Sequence, residues 1–333
     1  MAPMHDEPGL TGATPLSDGD IVAKRYKILS ELGRGGYAIV YKAEDLKTGQ
    51  VVAIKTIRPI APRPKEVVAR FRREAELVGQ LKHPNTVRIF DYGFETDFFM
   101  AMEYLQGYAV SDILDGTHGI PAKRALAIAR GILESLTEAH GLGIVHRDLK
   151  PENIYLVHGP DGSERVKVLD FGIAKSVYDE PTEPSLTLRG RAMGTPTYMS
   201  PEQAKGGSLD IASDIYAVSV VIYELLCGIP PFTGEGAMEV MLKHVNDAPP
   251  RLTVKELSGT PIEFAILKGL AKKPNDRFLS AHDFLAALGF TAVRLIGGPL
   301  QAAEFPAEQT AAAAPKAATS KPVFGSWFRR RDG

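Results

Sequence analysis

His146-Arg147-Asp148-Leu149-Lys150-Pro151-Glu152-Asn153 is followed, 22 residues after Asp148, by Asp170-Phe171-Gly172. Asp148, Lys150, Asn153 and Asp170 set two carboxylates, an amide and a lysine in fixed order. Phosphoryl transfer needs that set of groups. A carboxylate such as Asp148 can accept or orient the proton of an attacking hydroxyl. An ammonium such as Lys150 can offset charge on a transferred phosphoryl group. The oxygens of Asn153 and Asp170 are hard donors that suit Mg2+. His146 reads as packed rather than ligating, since the site calls for oxygen donors and no second His or Cys completes a zinc set.

Upstream lies Gly33-Arg34-Gly35-Gly36-Tyr37-Ala38-Ile39-Val40. Glycines permit positive φ and close backbone approach, so main-chain N–H groups there can meet phosphate oxygens. Many hairpins carry such glycines, and the loop alone is a weak signal. Lys55 closes Val52-Ala53-Ile54-Lys55, 22 residues beyond Gly33. The apolar residues before it argue for an amine facing a cleft. The segment from Glu66 to Leu81 repeats Val67, Phe71, Ala75 and Val78 at helical spacing and stops at His83-Pro84-Asn85. It carries Glu74.

The periodicity predicts strands at 26–29, 39–43, 51–55, 87–92 and 98–103, separated by Gly-containing turns. After Leu105 helices dominate, at 122–142, 214–226, 261–270 and 280–288. The second of these is apolar nearly all round and is expected to be buried. A hairpin joins 154–157 to 166–169. The fold class is α+β: a small antiparallel β lobe with one main helix, on a larger, mostly helical lobe. A cleft between two lobes is a natural ligand site.

The 333 residues are 44% hydrophobic and 24% charged, as in ordinary globular proteins, and the net charge of -1 offers no global attraction for nucleic acid. The single Cys227 allows no intrachain disulfide and reads as packing. No apolar run is long enough for a transmembrane span. The first 20 residues lack the basic start and apolar stretch of a signal peptide, so the expected location is cytoplasmic. From about Gly289 the chain turns into an Ala- and Pro-containing tail. It ends in Lys321-Pro322-Val323-Phe324-Gly325-Ser326-Trp327-Phe328-Arg329-Arg330-Arg331. Such an end suits a solvated tail, peripheral contact with an anionic membrane or docking to a protein.

Together the motifs resemble the protein-kinase family over roughly residues 26–288. Gly194 to Gln203 and Ser213-Asp214-Ile215-Tyr216 most resemble the bacterial, eukaryotic-like Ser/Thr kinases. The resemblance implies a bilobal fold, with an N-lobe at 26–105, a C-lobe at 106–288, a flexible leader at 1–20 and a tail at 289–333. It implies ATP with Mg2+, Mn2+ being a substitute, and protein substrates bearing Ser or Thr hydroxyls. Lys55, paired with Glu74, would hold the α- and β-phosphates. Leu32, Gly33, Gly35, Gly36, Val40, Ala53 and Met102 would surround the nucleotide, and main-chain groups of Glu103 and Leu105 would meet adenine. The third glycine of the family loop is replaced by Ala38, which implies altered loop flexibility.

Asp148 and Lys150 are the catalytic pair by the same resemblance, Asn153 and Asp170 the metal ligands, and Thr195 bonds the catalytic aspartate and lysine. Glu202 is expected to pair with Arg277, and Asp214 to tie its helix to the catalytic loop. Arg147 precedes the catalytic aspartate, as in kinases whose activation loop is ordered by phosphate. Autophosphorylation is therefore expected at Thr187, with Ser185 and Thr182 as seconds, which asks for self-association. The alternative is a pseudokinase scaffold that binds nucleotide or partners. The presence of Lys55, Glu74, Asp148, Asn153 and Asp170 argues against it. A small-molecule kinase is disfavoured by the Thr195 to Glu202 segment, which shapes a peptide ledge in the family.

Overall fold

The structure is a computed structural model, and it describes residues 15–35, 38–57, 65–95, 97–114, 118–159, 162–172 and 196–290. Gly36, Thr182, Ser185, Thr187, Thr195 and the tail from residue 291 lie outside the described residues.

The first lobe is a six-stranded antiparallel sheet in the order β1-β2-β3-β4-β6-β5. Its strands are β1 (Ile21–Val22), β2 (Tyr26–Arg34), β3 (Ala38–Asp45), β4 (Val51–Ile57), β5 (Ile89–Phe94) and β6 (Phe98–Glu103). Strand alternation sorts its side chains into two faces. Ile39, Tyr41, Val52 and Ile54 pack on the outer face with Tyr26 and Phe99, whereas Val40 and Ala53 join a separate cluster on the cleft face. Leu32 lies inside a register shift of β2, where an extra residue bends the strand over the cleft. Helix α1 (Lys65–Val78) packs through Phe71, whose ring lies 4.3 Å from Phe98.

Strand β7 (Gly107–Ala109) and helix α2 (Val110–Leu114) lead from the connection that follows Glu103, the hinge between the lobes, into α3 (Ala122–Gly141). Strands β8 (Ile154–His158) and β9 (Glu164–Val168) join β7 in a three-stranded sheet. The rest of the lobe comprises α4 (Pro201–Ala204), α5 (Ile211–Cys227), α6 (Ala237–Asn246), α7 (Pro261–Gly269) and α8 (Ala281–Ala287). Asp210 caps α5 through a side-chain bond to the Ala212 N–H, and Gly228 ends it in the left-handed region at φ 79°. Nearly every residue of α5 is buried, as its apolar pattern predicts. Gly107 lets β7 close on β8, since a Cβ there would collide with the Leu156 carbonyl. A Gly107→Ala chain is expected to lose about 1–3 kcal/mol from overpacking, read by urea denaturation.

Contacts are also made by residues flanking 26–288. The Leu16 N–H donates to the Tyr41 hydroxyl at 3.1 Å, and Leu16 packs on the outer sheet face. Phe290 packs against the main core. Elements β1, β7, α2, α4 and α6 lie outside the expected set.

Candidate active site

The catalytic-loop candidates are held by a buried carboxylate. Asp214, 1% exposed on α5, accepts from the main-chain N–H of His146 at 2.7 Å and of Arg147 at 2.9 Å. His140 of α3 reaches the same carboxylate through Nε2 at 2.9 Å. This grip supports Arg147 at φ 64°, a left-handed conformation that costs free energy in a non-glycine residue. His146 is fully buried against Phe171. Its Nε2 bonds the Leu169 carbonyl at 2.8 Å, and its Nδ1 accepts from the Asp148 N–H at 3.3 Å. One nitrogen then donates and the other accepts, which defines a neutral ring. Burial lowers its proton affinity in keeping with that. His146 thus joins the loop bearing Asp148 to the turn bearing Asp170 through both ring nitrogens.

Asp148 and Lys150 meet at 3.2 Å between Oδ2 and Nζ. Burial works against the lysine's charge, but the carboxylates of Asp148 and Glu152 outweigh it and its pKa is raised. Asn153 donates Nδ2 to the Asp148 carbonyl at 2.8 Å and lies 3.3 Å from its Oδ2. That bond fixes the orientation of the amide. Asp170 stands at φ 57°, and its Oδ1 is 2.7 Å from Lys55 Nζ. One cavity is lined by Lys55, Asp148, Asp170 and Phe171, with Val78 and Met102 among its apolar walls.

The expected Lys55–Glu74 pair is absent, and this corrects the sequence reading. Glu74 is half-buried and makes no ion pair among the described residues, while Lys55 pairs with Asp170. Asp170 reaches Lys55 from the large lobe. Glu74 rides on a helix whose depth is set by the packing of Phe71, Ala75 and Val78. Among the described residues no three His, Cys, Asp or Glu side chains form a metal cluster. The amide oxygen of Asn153 and the carboxylate of Asp170 are nonetheless the hard donors Mg2+ takes when phosphates and water complete its shell. The donor set fits that ion.

Leu32, Val40, Ala53 and Met102 form one buried cluster, with Tyr104 and Leu105 packed on it. The same cluster contains Val87, Ala109, Tyr155 and Leu169, which sequence reasoning missed. Tyr155 lies on β8, two residues past Asn153, and joins this cluster while its strand neighbours Ile154 and Leu156 pack in the main core, an alternation the sequence carries. Gly33 sits in β2 opposite Val40, and Gly35 donates its N–H to the Ala38 carbonyl at 2.8 Å.

A family profile described as "Protein kinase domain" matches residues 26–286. The chain belongs to the protein kinase family. It is 40% identical over 283 residues to the serine/threonine-protein kinase pkn3 of Myxococcus xanthus, covering 83% of this chain and 52% of that one. It is 38% identical over 281 residues to the serine/threonine-protein kinase PrkC of Bacillus subtilis, covering 83% and 42%. The crystal structure of the Mycobacterium tuberculosis PknI kinase domain superposes with a TM-score of 0.65 at 26% identity, over 83% of this chain and 99% of that one. The chain spans about half the length of these curated relatives.

In this member of the protein kinase family the stretch from residue 196 is tied into the loop that carries Asp148. Ser200 and Gln203 form a reciprocal cap on α4, and Gln203 Nε2 donates to the Arg147 carbonyl at 3.1 Å. The Tyr198 hydroxyl donates to Glu224 of α5 at 2.7 Å. Glu202 meets Arg277 in the expected pair, through two bonds of 2.8 Å. Gln203, Tyr198 and Glu224 carried no signal in isolation. Among the described residues no helix is long and apolar enough to cross a membrane.

Proposed function

We propose that this chain is an active Ser/Thr protein kinase that transfers the γ-phosphoryl group of ATP to hydroxyls of protein substrates. The observation that carries the reading is the convergence of Lys55, Asp148 and Asp170 on one cavity, with Lys150 and Asn153 on Asp148. The bond between the γ-phosphorus and its bridging oxygen breaks, and ADP leaves with that electron pair. The substrate oxygen forms the new bond, and Asp148 receives or orients its proton. Lys150 offsets charge on the transferred group. Asn153 and Asp170 would hold Mg2+ or Mn2+, which supplies charge neutralisation of the phosphates when bound.

Lys55 would hold the α- and β-phosphates beneath Gly33, Gly35 and Gly36. The Leu32, Val40, Ala53 and Met102 walls, with the Tyr155 ring, would enclose adenine against the Glu103 and Leu105 main chain. Thr195 would position the catalytic pair. We assign self-phosphorylation to Thr187, with Ser185 and Thr182 as seconds. The test is phosphosite mapping by mass spectrometry after incubation with Mg-ATP, with a chelator control. Phosphate on Ser or Thr only with the metal supports the reading. An unmodified chain that also leaves a generic protein acceptor unmodified counts against it. A Thr187→Ala chain is expected to lose phosphate and activity together.

A further inference from the structure

The hinge carboxylate is held from the large lobe. Glu103 ends β6, where the chain leaves the sheet. Its Oε1 accepts from Lys167 Nζ at 2.6 Å and from the Arg88 N–H at 2.8 Å. Its own N–H donates to the Arg88 carbonyl at 2.9 Å. Lys167 stands on β9, three residues before Asp170, and also donates to the Thr86 carbonyl at 3.4 Å. The side chains of Lys167 and Glu103 are only 13% and 25% exposed. Charge-assisted bonds of this length, partly shielded from water, are the strong ones.

The pair extends a seam between the lobes. The Val168 N–H donates to the Asn85 carbonyl at 2.7 Å, and the Val87 N–H donates to the Val168 carbonyl at 3.0 Å. Asn85 Nδ2 donates to the Val166 carbonyl at 2.9 Å. These bonds stitch β9 to the segment entering β5, and Lys167 carries the seam on to the hinge strand itself. The same stretch of β9 runs directly into Leu169, of the base-pocket cluster, and Asp170. The spacing between the edge that meets a base and the carboxylate that meets phosphates therefore passes through Lys167.

We propose, resting on the kinase reading above, that Lys167 is a positioning residue for the nucleotide. By anchoring Glu103 it holds the hinge edge at a fixed distance and tilt from Asp170. It acts through Glu103 and touches no reacting atom. An interaction that serves the ground and transition states alike moves KM and leaves kcat. Lys167→Met is therefore expected to raise the Kd and KM for ATP about 5- to 10-fold, the net scale of one ordinary hydrogen bond, because the lysine acts on the nucleotide only through Glu103, with kcat held within about twofold. Glu103→Gln moves them in the same direction. The double variant is no weaker than the weaker single one, because the two act as a unit. Lys167→Arg keeps a cationic donor and rescues affinity.

The experiment is calorimetric titration of the full chain with Mg-ATP, beside steady-state kinetics and Tm. A lysine that merely stabilised the fold would lower Tm and the active fraction and leave Kd unchanged. A Kd within about twofold of wild type in both single variants overturns the proposal, since linked side chains must respond together. A raised kcat overturns it too, because the pair would then restrain the enzyme. Wild type that binds no ATP overturns the kinase reading and this proposal with it; intact wild-type binding with unaltered variants overturns this proposal alone.

Discussion

An Asp148→Asn chain is expected to bind ATP as wild type does and to transfer the phosphoryl group roughly 10²–10⁴-fold more slowly, the span removed with a positioned acid–base group. The replacement keeps the size of the side chain. It leaves untouched the bond from Asn153 Nδ2 to the Asp148 carbonyl and the bond from the Asp148 N–H to His146. The loop geometry therefore survives. What goes is the charge that accepts or orients a hydroxyl proton and faces Lys150 at 3.2 Å. Single-turnover rates at saturating Mg-ATP, set beside an ATP titration, separate the two effects. A rate within a few-fold of wild type would remove Asp148 from the chemistry. A parallel loss of ATP affinity would make it a binding group.

The parts of this site that could be read from the chain are those whose chemistry fixes both residue type and spacing. Asp148, Asn153 and Asp170 occur in short stretches joined by one hairpin, so local order alone brings them together. Lys55 follows from strand alternation, which turns Val52 and Ile54 outward and leaves Ala53 and Lys55 for the cleft. The partner of Lys55 was not legible in the same way. Whether it meets Glu74 or Asp170 depends on how deeply α1 sits on the sheet, and many weak contacts around Phe71 and Val78 set that depth. Helix α6 escaped notice because its pattern is poor. Val240 and His244 are buried, but Met238 and Leu242 are exposed, and Gly236 gives no side-chain cap. Strand β7 and helix α2 are too short to show a period. The Glu103–Lys167 bond spans 64 positions, and nothing local announces it.

The second large effect is expected at Arg277. Its side chain is fully buried and uses all five guanidinium N–H groups. Nε donates to the Ala271 carbonyl, Nη1 to Glu202 and the Ala212 carbonyl, and Nη2 to Glu202 and the Lys272 carbonyl. Arg277→Met takes the cation from a partly buried carboxylate and the donors from three main-chain carbonyls, and should cost about 3–5 kcal/mol by urea denaturation. Arg277→Lys should recover little of this, because an ammonium has three donors and no planar fork. Acid gives an independent readout. Burial pushes the Glu202 carboxyl up, but the bonds from Arg277 and Ser213 outweigh it and bring it from the usual 4.5 down to about 2. A carboxyl lowered in the folded state stabilises fully above its unfolded pKa and loses that contribution as pH falls toward the folded value. Wild type should therefore lose about 2 kcal/mol through this group between neutral pH and about pH 3. The Arg277→Met chain should lack that loss, since its Glu202 has no cation to hold its proton off. Equal acid sensitivity in the two proteins would mean that the pair is not coupled to folding. The same variant should slow phosphoryl transfer, because Glu202 adjoins Gln203, which holds the Arg147 carbonyl one residue from Asp148.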